Sequence, residues 1–177
     1  LGELRVSKFL IDHFSGQEIV SFRPGELSNP YGLPQALLAT GFRYSSTATA
    51  NNSLTHLPYQ LTYNRLTESE VDIFEFPVTI EDEELPKMGD RLPQALEVAR
   101  KISRYGGSVV VLIHPNILDH KLVFEKGFVE GVRPYAWFGS VREFGRWWAA
   151  RNQVEVDVTR GPTSMQATMT VPQPVAG

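Results

Sequence analysis

Polar side chains that could take part in chemistry stand directly after apolar runs typical of buried strands. They are Arg23, the pair Ser45 and Ser46, and His114. Histidine can donate or accept a proton near neutral pH, and arginine can bind a carboxylate or a developing oxyanion. Because ligands collect at the carboxyl ends of the strands in parallel α/β proteins, these side chains indicate the rim of an active site.

Each of these residues also has an ordinary structural interpretation. A strand-end arginine often serves only an ion pair, a histidine there is often simply hydrogen-bonded, and paired serines are common in turns. Glu75 lies within a predicted strand over 72–79, with Asp72 three residues before it. Two carboxylates would suit a glycosidase, but residues three apart on a strand point to opposite faces, which argues against that chemistry.

The elements that must position these residues follow from the apolar pattern. Helices are predicted at 3–14, 33–40, 92–104, 117–126 and 140–151, and strands at 19–22, 42–44, 72–79, 108–113, 134–138 and 154–158. Such alternation predicts an α/β protein with mostly parallel strands. The run at 108–113 is continuous and β-branched, as expected for a strand buried on both faces.

The first and last predicted helices carry clear end signals. The larger apolar side chains of the first fall near one face; they are Leu4, Phe9, Leu10 and Phe14. Gly16 is expected to end that helix. The last one begins with a capping box, in which Ser140 precedes Glu143 by three residues. Residues 152–177 are rich in Thr, Pro and Val, so we predict a domain over 1–151 followed by a β tail or the start of a further module.

Composition narrows the possible functions. The chain has 177 residues, a net charge of -3 and no cysteine, which excludes disulfides, cysteine-bound zinc and thiol nucleophiles. There is no basic patch for nucleic acid and no apolar run long enough for a transmembrane segment. The nucleophile elbow, the Walker loop, the dinucleotide fingerprint and the His-Glu-x-x-His motif do not occur, and the four histidines show no familiar metal spacing.

Four short segments, in order, resemble the later motifs of one enzyme family. They are Ser21–Gly25 (SFRPG), Gly41–Ser46 (GFRYSS), Glu75–Thr79 (EFPVT) and Leu112–Pro115 (LIHP). Their order and spacing resemble the C-terminal half of a polysaccharide deacetylase domain, carbohydrate esterase family 4. The resemblance covers about residues 1–150.

The resemblance implies a distorted (β/α) barrel and hydrolytic removal of acetyl groups from a polysaccharide or oligosaccharide. In this family a divalent metal, usually zinc, is held by one Asp and two His. Carried over, His114 is the general acid, and Arg23 orients the catalytic Asp. Leu112 lines the pocket for the acetyl methyl group, and the backbone at Pro24 and Gly25 helps hold the oxyanion and the substrate.

The departures from the family pattern are equally specific. The Thr-Phe-Asp-Asp and His-x-x-x-His motifs that supply base and metal ligands have no counterpart here, so we expect them in a missing N-terminal half of the domain and expect this chain alone to be inactive. Gly25 and Glu26 stand where the family usually has proline and an aromatic residue, and Ser45 stands where Asp is frequent. The fourth motif, Asp-x-x-Asp-Trp, is not placed.

A second hypothesis is a deacetylase-like domain that has lost catalysis and only binds a carbohydrate. The sequence upstream of residue 1 discriminates the two hypotheses, because only the enzyme requires the metal-binding motifs there.

Overall fold

The computed structural model describes residues 1–63, 69–116 and 119–171 of the chain. It divides into two compact units, Leu1–Gly139 and Ser140–Gly177. Among the described residues, no helix has the length and apolarity needed to cross a lipid bilayer. The sequence-based domains, 1–151 and 152–177, remain a prediction, because compact units defined by contacts need not coincide with domains.

The first unit is built on short strands that mostly run parallel. In chain order they are β1 (Ser21–Phe22), β2 (Tyr44–Ser45), β3 (Tyr59–Thr62), β4 (Glu70–Glu75), β5 (Val78–Glu81) and β6 (Val110–Leu112). One sheet has the order β1-β2-β4-β3, with only β3 antiparallel, and β5 and β6 form a second, parallel pair. An isolated parallel bridge joins Val78 of β5 to Thr49, four residues after the end of β2. The α/β prediction is confirmed, whereas the described strands form no closed barrel.

The segment predicted as one strand over 72–79 forms two. β4 ends at Glu75, Phe76 and Pro77 belong to neither strand, and β5 begins at Val78 in the other sheet. Pro77 has no N–H to donate to a ladder, so the interruption falls where a continuous strand is least favourable. As a result Glu75 ends one strand, and Asp82 directly follows the next.

The helices of the first unit cover the sheets. They are α1 (Gly2–Ser15), α2 (Leu33–Leu38), α3 (Ala50–Ser53), α4 (Leu92–Ser103) and α5 (Asp119–Val132). The main core lies between α4, α5 and the β5–β6 pair; it contains Ile80, Met88, Ala95, Ala99, Phe124, Phe128 and Val132. Gly127 and Gly131 face Leu92 and Leu96, where a Cβ atom would come within 2.5 Å of a leucine methyl, so they allow α5 to approach α4 closely.

The predicted strand over 134–138 does not form. α5 extends to Val132, beyond the predicted end of the helix at residue 126, and residues 117–118 of that prediction lie outside the described residues. The amides of Tyr135 and Ala136 both donate to the Val132 carbonyl. These amides complete the end of the helix and are not available for a strand ladder.

Helix α1 confirms the prediction over 3–14 but turns its apolar face outward. Gly16 ends it with a positive φ of 66° and an N–H that donates to the Asp12 carbonyl. Toward the sheet, Lys8 Nζ donates to the Ile19 carbonyl at 2.7 Å, and Asp12 Oδ1 accepts from the Ile19 N–H at 2.7 Å. The exposed apolar side chains are Val6, Phe9, Leu10, Ile11 and Phe14. Of the predicted apolar face, Leu4 packs against the core cluster that contains Leu33 and Leu37. Phe9, Leu10 and Phe14 are left exposed by the described residues of this unit.

The second unit contains α6 (Val141–Arg151) and a hairpin of β7 (Glu155–Arg160) with β8 (Met165–Thr170). The capping box is confirmed: Ser140 Oγ accepts from the Glu143 N–H, and the Glu143 carboxylate accepts from the Ser140 N–H. Trp148 of α6 is buried and Trp147 is exposed. Every residue of the hairpin strands is exposed.

We predict that Phe124→Ala lowers the free energy of unfolding of the first unit by about 3–5 kcal/mol, because a fully buried aromatic ring leaves a cavity. Phe124 is 0% exposed and stacks on Phe128 with ring centroids 5.4 Å apart. Val123→Ala on the same helix is the matched control, since Val123 is 62% exposed and its loss should change stability by no more than about 0.5 kcal/mol. Urea unfolding followed by tryptophan fluorescence and circular dichroism measures both; equal effects would contradict this core.

Candidate functional site

The polar residues singled out from the sequence lie at the carboxyl ends of parallel strands, as predicted. Arg23 follows β1, Ser46 follows β2, and His114 lies two residues after β6. Two carboxylates occupy equivalent places, Glu75 at the end of β4 and Asp82 directly after β5. These residues form two hydrogen-bonded groups, one around His114 and one around Glu75.

The His114 cluster consists of Asp82, His114, Asn116 and Lys121. The Asp82 side chain is fully buried, and Oδ1 lies 2.9 Å from Nδ1 of the His114 ring. Oδ2 of the same carboxylate accepts from the His114 backbone N–H at 2.9 Å. Asp82 therefore binds both the backbone and the ring of His114, which fixes the ring relative to the strand ends.

This arrangement decides which ring nitrogen of His114 carries the structural proton. A carboxylate accepts hydrogen bonds, so Nδ1 must bear the hydrogen that points at Asp82. The His114 side chain is 49% exposed, and Nε2 is the nitrogen left for proton exchange. Glu83 lies nearby, with its carboxylate 3.7 Å from Nδ1. A histidine held in this way can take or give a proton at Nε2 without losing its orientation.

Lys121 keeps the buried carboxylate ionised. Burial alone would raise the pKa of Asp82, but hydrogen bonds from Lys121 and from the backbone and ring of His114 outweigh it and hold that pKa well below its usual range. The Lys121 ammonium contacts the Asp82 carboxylate and also donates to the His114 carbonyl at 3.1 Å and to Asn116 Oδ1 at 2.9 Å. Asp82 is therefore negative throughout the neutral range.

The Glu75 cluster joins Arg23 to the ends of β2 and β4. Nη2 of Arg23 donates to Ser46 Oγ at 2.8 Å, and Nε donates to the Ser46 carbonyl at 3.2 Å. The Ser46 hydroxyl in turn donates to the Phe76 carbonyl at 2.8 Å. Because that hydroxyl has only one hydrogen, it must accept from Arg23. These bonds use two of the five N–H groups of the guanidinium, which can still bind a carboxylate.

Glu75 is a buried acid with one unpartnered oxygen. Its Oε1 accepts from the backbone N–H groups of Thr47 and Ala48, at 2.5 and 2.8 Å, while buried Oε2 has no hydrogen-bond partner. Burial raises the pKa of Glu75, although Ser45, the two amides and the charge of Arg23 act in the opposite direction. The carboxylate organises the turn after β2.

The glycosidase alternative finds no support in this geometry. Asp72 is exposed and pairs with Arg43 at 3.1 Å, whereas Glu75 is 1% exposed. The two carboxylates lie on opposite sides of β4, as expected from their spacing. They therefore cannot flank one glycosidic bond.

The other predicted site residues lie beside these clusters. Leu112 is buried at the end of β6, two residues before His114. Pro24 and Gly25 enter a short turn in which Glu26 and Leu27 have positive φ angles of 53° and 47°. Positive φ costs a side-chain-bearing residue about 1–2 kcal/mol, and such strain is concentrated at functional sites. The roles of these residues in substrate binding stay predictions.

The described residues do not fit a metal centre. Within 1–63, 69–116 and 119–171, no three His, Asp or Glu side chains are grouped so that they could hold an ion. In the His114 cluster the buried carboxylate is already bound by the Lys121 ammonium, which would repel a cation. The divalent metal therefore stays a prediction that concerns residues elsewhere.

Sequence reasoning missed Asp82 and Lys121, although each had a signal. Asp82 stands in a run of four acidic residues, 81–84, which is typical of a loop, and it becomes a strand-end residue once the break at Pro77 is recognised. Lys121 shares the helical spacing of Phe124 and Phe128, so it stands on the core face of α5. A lysine at such a position requires a buried acceptor.

Comparison with known proteins identifies the fold. No family model matches the chain, and no curated protein matches its sequence. The structure is similar to the crystal structure of a putative polysaccharide deacetylase from Mycobacterium smegmatis, with a TM-score of 0.66 and 16% sequence identity. The match covers 89% of this chain and 59% of that one, so the chain spans about three fifths of that protein's length. At this identity the likeness shows the fold alone.

We predict that Glu75→Gln becomes progressively more stable relative to the unaltered protein as the pH rises from 4 to 8. The folded-state pKa of Glu75 is raised above its ordinary 4.5, so its favourable contribution is complete below that value and is lost as the pH rises through the folded-state pKa. Glutamine keeps a carbonyl for Thr47 and Ala48 but cannot ionise.

Glu75→Ala is the matched control for this experiment. It leaves the amides of Thr47 and Ala48 without an acceptor and should be less stable than the glutamine variant by about 1–3 kcal/mol at every pH. Urea unfolding at several pH values gives all three stabilities. A difference between the glutamine variant and the unaltered protein that did not change with pH would contradict the assigned burial of this charge.

Proposed function

We propose that this chain forms the C-terminal half of a metal-dependent deacetylase domain of carbohydrate esterase family 4, which hydrolytically removes acetyl groups from a polysaccharide or oligosaccharide. The observation that carries the proposal is the Asp82–His114 pair at the carboxyl ends of parallel strands, in a fold similar to that of a polysaccharide deacetylase. In this proposal Asp82 is the acid that orients His114.

His114 is the proposed general acid. Cleavage of an acetyl group leaves an amine or an alcohol, and each is a far better leaving group when it receives a proton as the bond breaks. The bond from Nδ1 to Asp82 keeps the ring oriented, so that Nε2 holds the proton that the leaving group takes. Asp82 orients the ring and balances its charge and does not itself contact the substrate.

Arg23 is the proposed partner of the catalytic Asp expected in the other half of the domain. Ser46 holds its guanidinium on the strand-end side through two hydrogen bonds, and donors remain for an incoming carboxylate. The strained turn after Arg23 would turn backbone N–H groups toward an oxyanion, the stabilisation that acyl-transfer sites require. Leu112 would contribute apolar surface near His114 for the acetyl methyl group.

The proposed cofactor is a divalent ion, most simply zinc, held by ligands of the other half. When bound, such an ion polarises the acetyl carbonyl and lowers the pKa of a water molecule. The residues of this chain orient the substrate, bind the catalytic Asp and supply the leaving-group proton.

The outward apolar face of α1 supports the proposed partner, the N-terminal half of the domain. A helix with this many exposed apolar side chains on one side normally packs against a further element. The similar fold is also longer than this chain, which spans 59% of it. We therefore assign the face of Val6, Phe9, Leu10 and Phe14 to the interface between the two halves.

A non-catalytic carbohydrate-binding domain is the alternative. The observation in its favour is that the part of the chain seen in the structure groups no metal ligands. The two functions differ in one measurable respect, because the enzyme releases acetate and the binding domain only retains the glycan.

We predict that His114→Gln lowers kcat for acetate release about 10²–10⁴-fold, the usual contribution of a general acid. The assay uses the native polypeptide that carries residues 1–177, with zinc and acetylated glucosamine oligomers, and follows acetate enzymatically. Unchanged kcat in this variant would remove His114 from the mechanism.

Asp82→Asn and Asp72→Asn form the matched pair for the same assay. The first removes the charge beside His114 and should also lower kcat, whereas the second breaks only an exposed ion pair with Arg43 and should leave kcat within about twofold. If the unaltered polypeptide binds the oligomers without releasing acetate, the binding alternative replaces the enzyme.

We predict that the double substitution Phe9→Ser and Phe14→Ser abolishes binding of this chain to the N-terminal half supplied as a separate polypeptide, without unfolding it. Both rings are largely exposed, so the first unit loses little packing, while the interface loses apolar area. Tyr105→Ser, which removes an exposed ring far along the chain from α1, is the control and should bind normally. Size-exclusion chromatography and calorimetry report binding; retention by the double variant would place the interface elsewhere.

A further inference from the structure

Lys121 is a buried lysine that the proposed chemistry does not itself use. It lies in the first turn of α5 and is 7% exposed. Lysine is almost never this deeply buried unless its charge is paired and its donors are satisfied. The acceptors around its ammonium group therefore indicate why a lysine stands here.

The contacts of Lys121 converge on the segment that carries His114. The ammonium contacts the Asp82 carboxylate after β5, the His114 carbonyl after β6 and the Asn116 amide oxygen in the loop that leads to α5. An ammonium has three N–H donors, and here each has one acceptor. A single atom thus ties α5 to both strand ends and to the loop.

The bond to Asp82 also determines which carboxylate oxygen faces the ring. Oδ2 is shared by Lys121 and the His114 backbone N–H, while Oδ1 lies 2.9 Å from His114 Nδ1. With Oδ2 held on the helix side, the carboxylate plane is fixed and Oδ1 remains directed at the ring. The carbonyl bond holds the His114 backbone at the same time.

We propose that Lys121 is a positioning residue for His114, which keeps the ring with its proton on Nδ1 and Nε2 directed to solvent. The inference rests on the proposed function only in taking His114 as the general acid. The positioning of its ring by Lys121 does not depend on that role. Two roles are to be separated. Lys121 either merely balances the charge of Asp82, or its three directed bonds hold the loop.

The test is the tautomer of the His114 ring, measured by ¹⁵N NMR on the 177-residue chain at a pH where the ring is neutral. The unaltered chain should show a strong excess of the form protonated on Nδ1. Lys121→Met releases Oδ2 and the His114 carbonyl, so the form protonated on Nε2 should increase about tenfold, since the bond at one ring nitrogen sets the tautomer. Lys126→Met, exposed on the same helix, should leave the ratio unchanged.

Lys121→Arg separates positioning from charge balance and serves if the methionine variant does not fold. Arginine keeps the charge, but its planar fork cannot direct three donors from one atom. Positioning predicts an increase in the Nε2-protonated form in this variant too. A tautomer ratio like that of the unaltered chain in the arginine variant, or in a folded methionine variant, would overturn the inference.

The readout does not depend on acetate release. If the tautomer ratio shifts in the 177-residue chain but the native polypeptide with zinc releases no acetate, the proposed function is contradicted and the positioning role stands. Acetate release that depends on His114, with no tautomer shift in the Lys121 variants, would support the proposed function and overturn the positioning role.

Discussion

The buried negative charge of Asp82 is the constraint around which the His114 region is organised. A carboxylate removed from water is stable only if each of its oxygens is satisfied, and here the partners come from the exit of β6 and from the first turn of α5. These segments are separated along the chain but must meet at one point. The position of His114 is therefore a consequence of neutralising Asp82.

Glu75 is a second carboxylate buried at a strand end, but the groups that contact it differ from those around Asp82. Both carboxylates are buried, but Asp82 has a lysine in contact, whereas Glu75 has two amides on one oxygen and none on the other. The pKa of Asp82 is accordingly lowered and that of Glu75 is raised. Burial raises the pKa of both acids, but at Asp82 the hydrogen bonds from Lys121 and His114 outweigh it, whereas at Glu75 the hydrogen bonds and the charge of Arg23 do not.

The parts that sequence predicted well depend on local rules. The helical period of α4, the capping box at Ser140 and the glycine stop at Gly16 involve residues within a few positions of each other, and all were found. The strand-end locations of Arg23 and His114 also followed, because a strand boundary is a local feature. These elements are the frame on which the candidate site is built.

The parts that sequence could not predict depend on partners distant along the chain. Asp82 and His114 are 32 residues apart, and no local pattern pairs them. The exposure of the apolar side chains of α1 could not be predicted either, because periodicity indicates that a face is apolar but not which element covers it. The strand expected over 134–138 failed for a related reason, since its amides were needed to finish a helix whose length the pattern underestimated.

The β7–β8 hairpin and the packed core of the chain differ in their resistance to local unfolding. Its strands contain no buried residue, and an isolated two-stranded hairpin is only marginally stable in water. The core around Phe124 is by contrast made of buried apolar side chains. Local opening free energies in one chain can range from near zero to the global value. A single melting temperature would therefore describe the packed unit and say little about residues 155–170, whose strands contain no buried side chain.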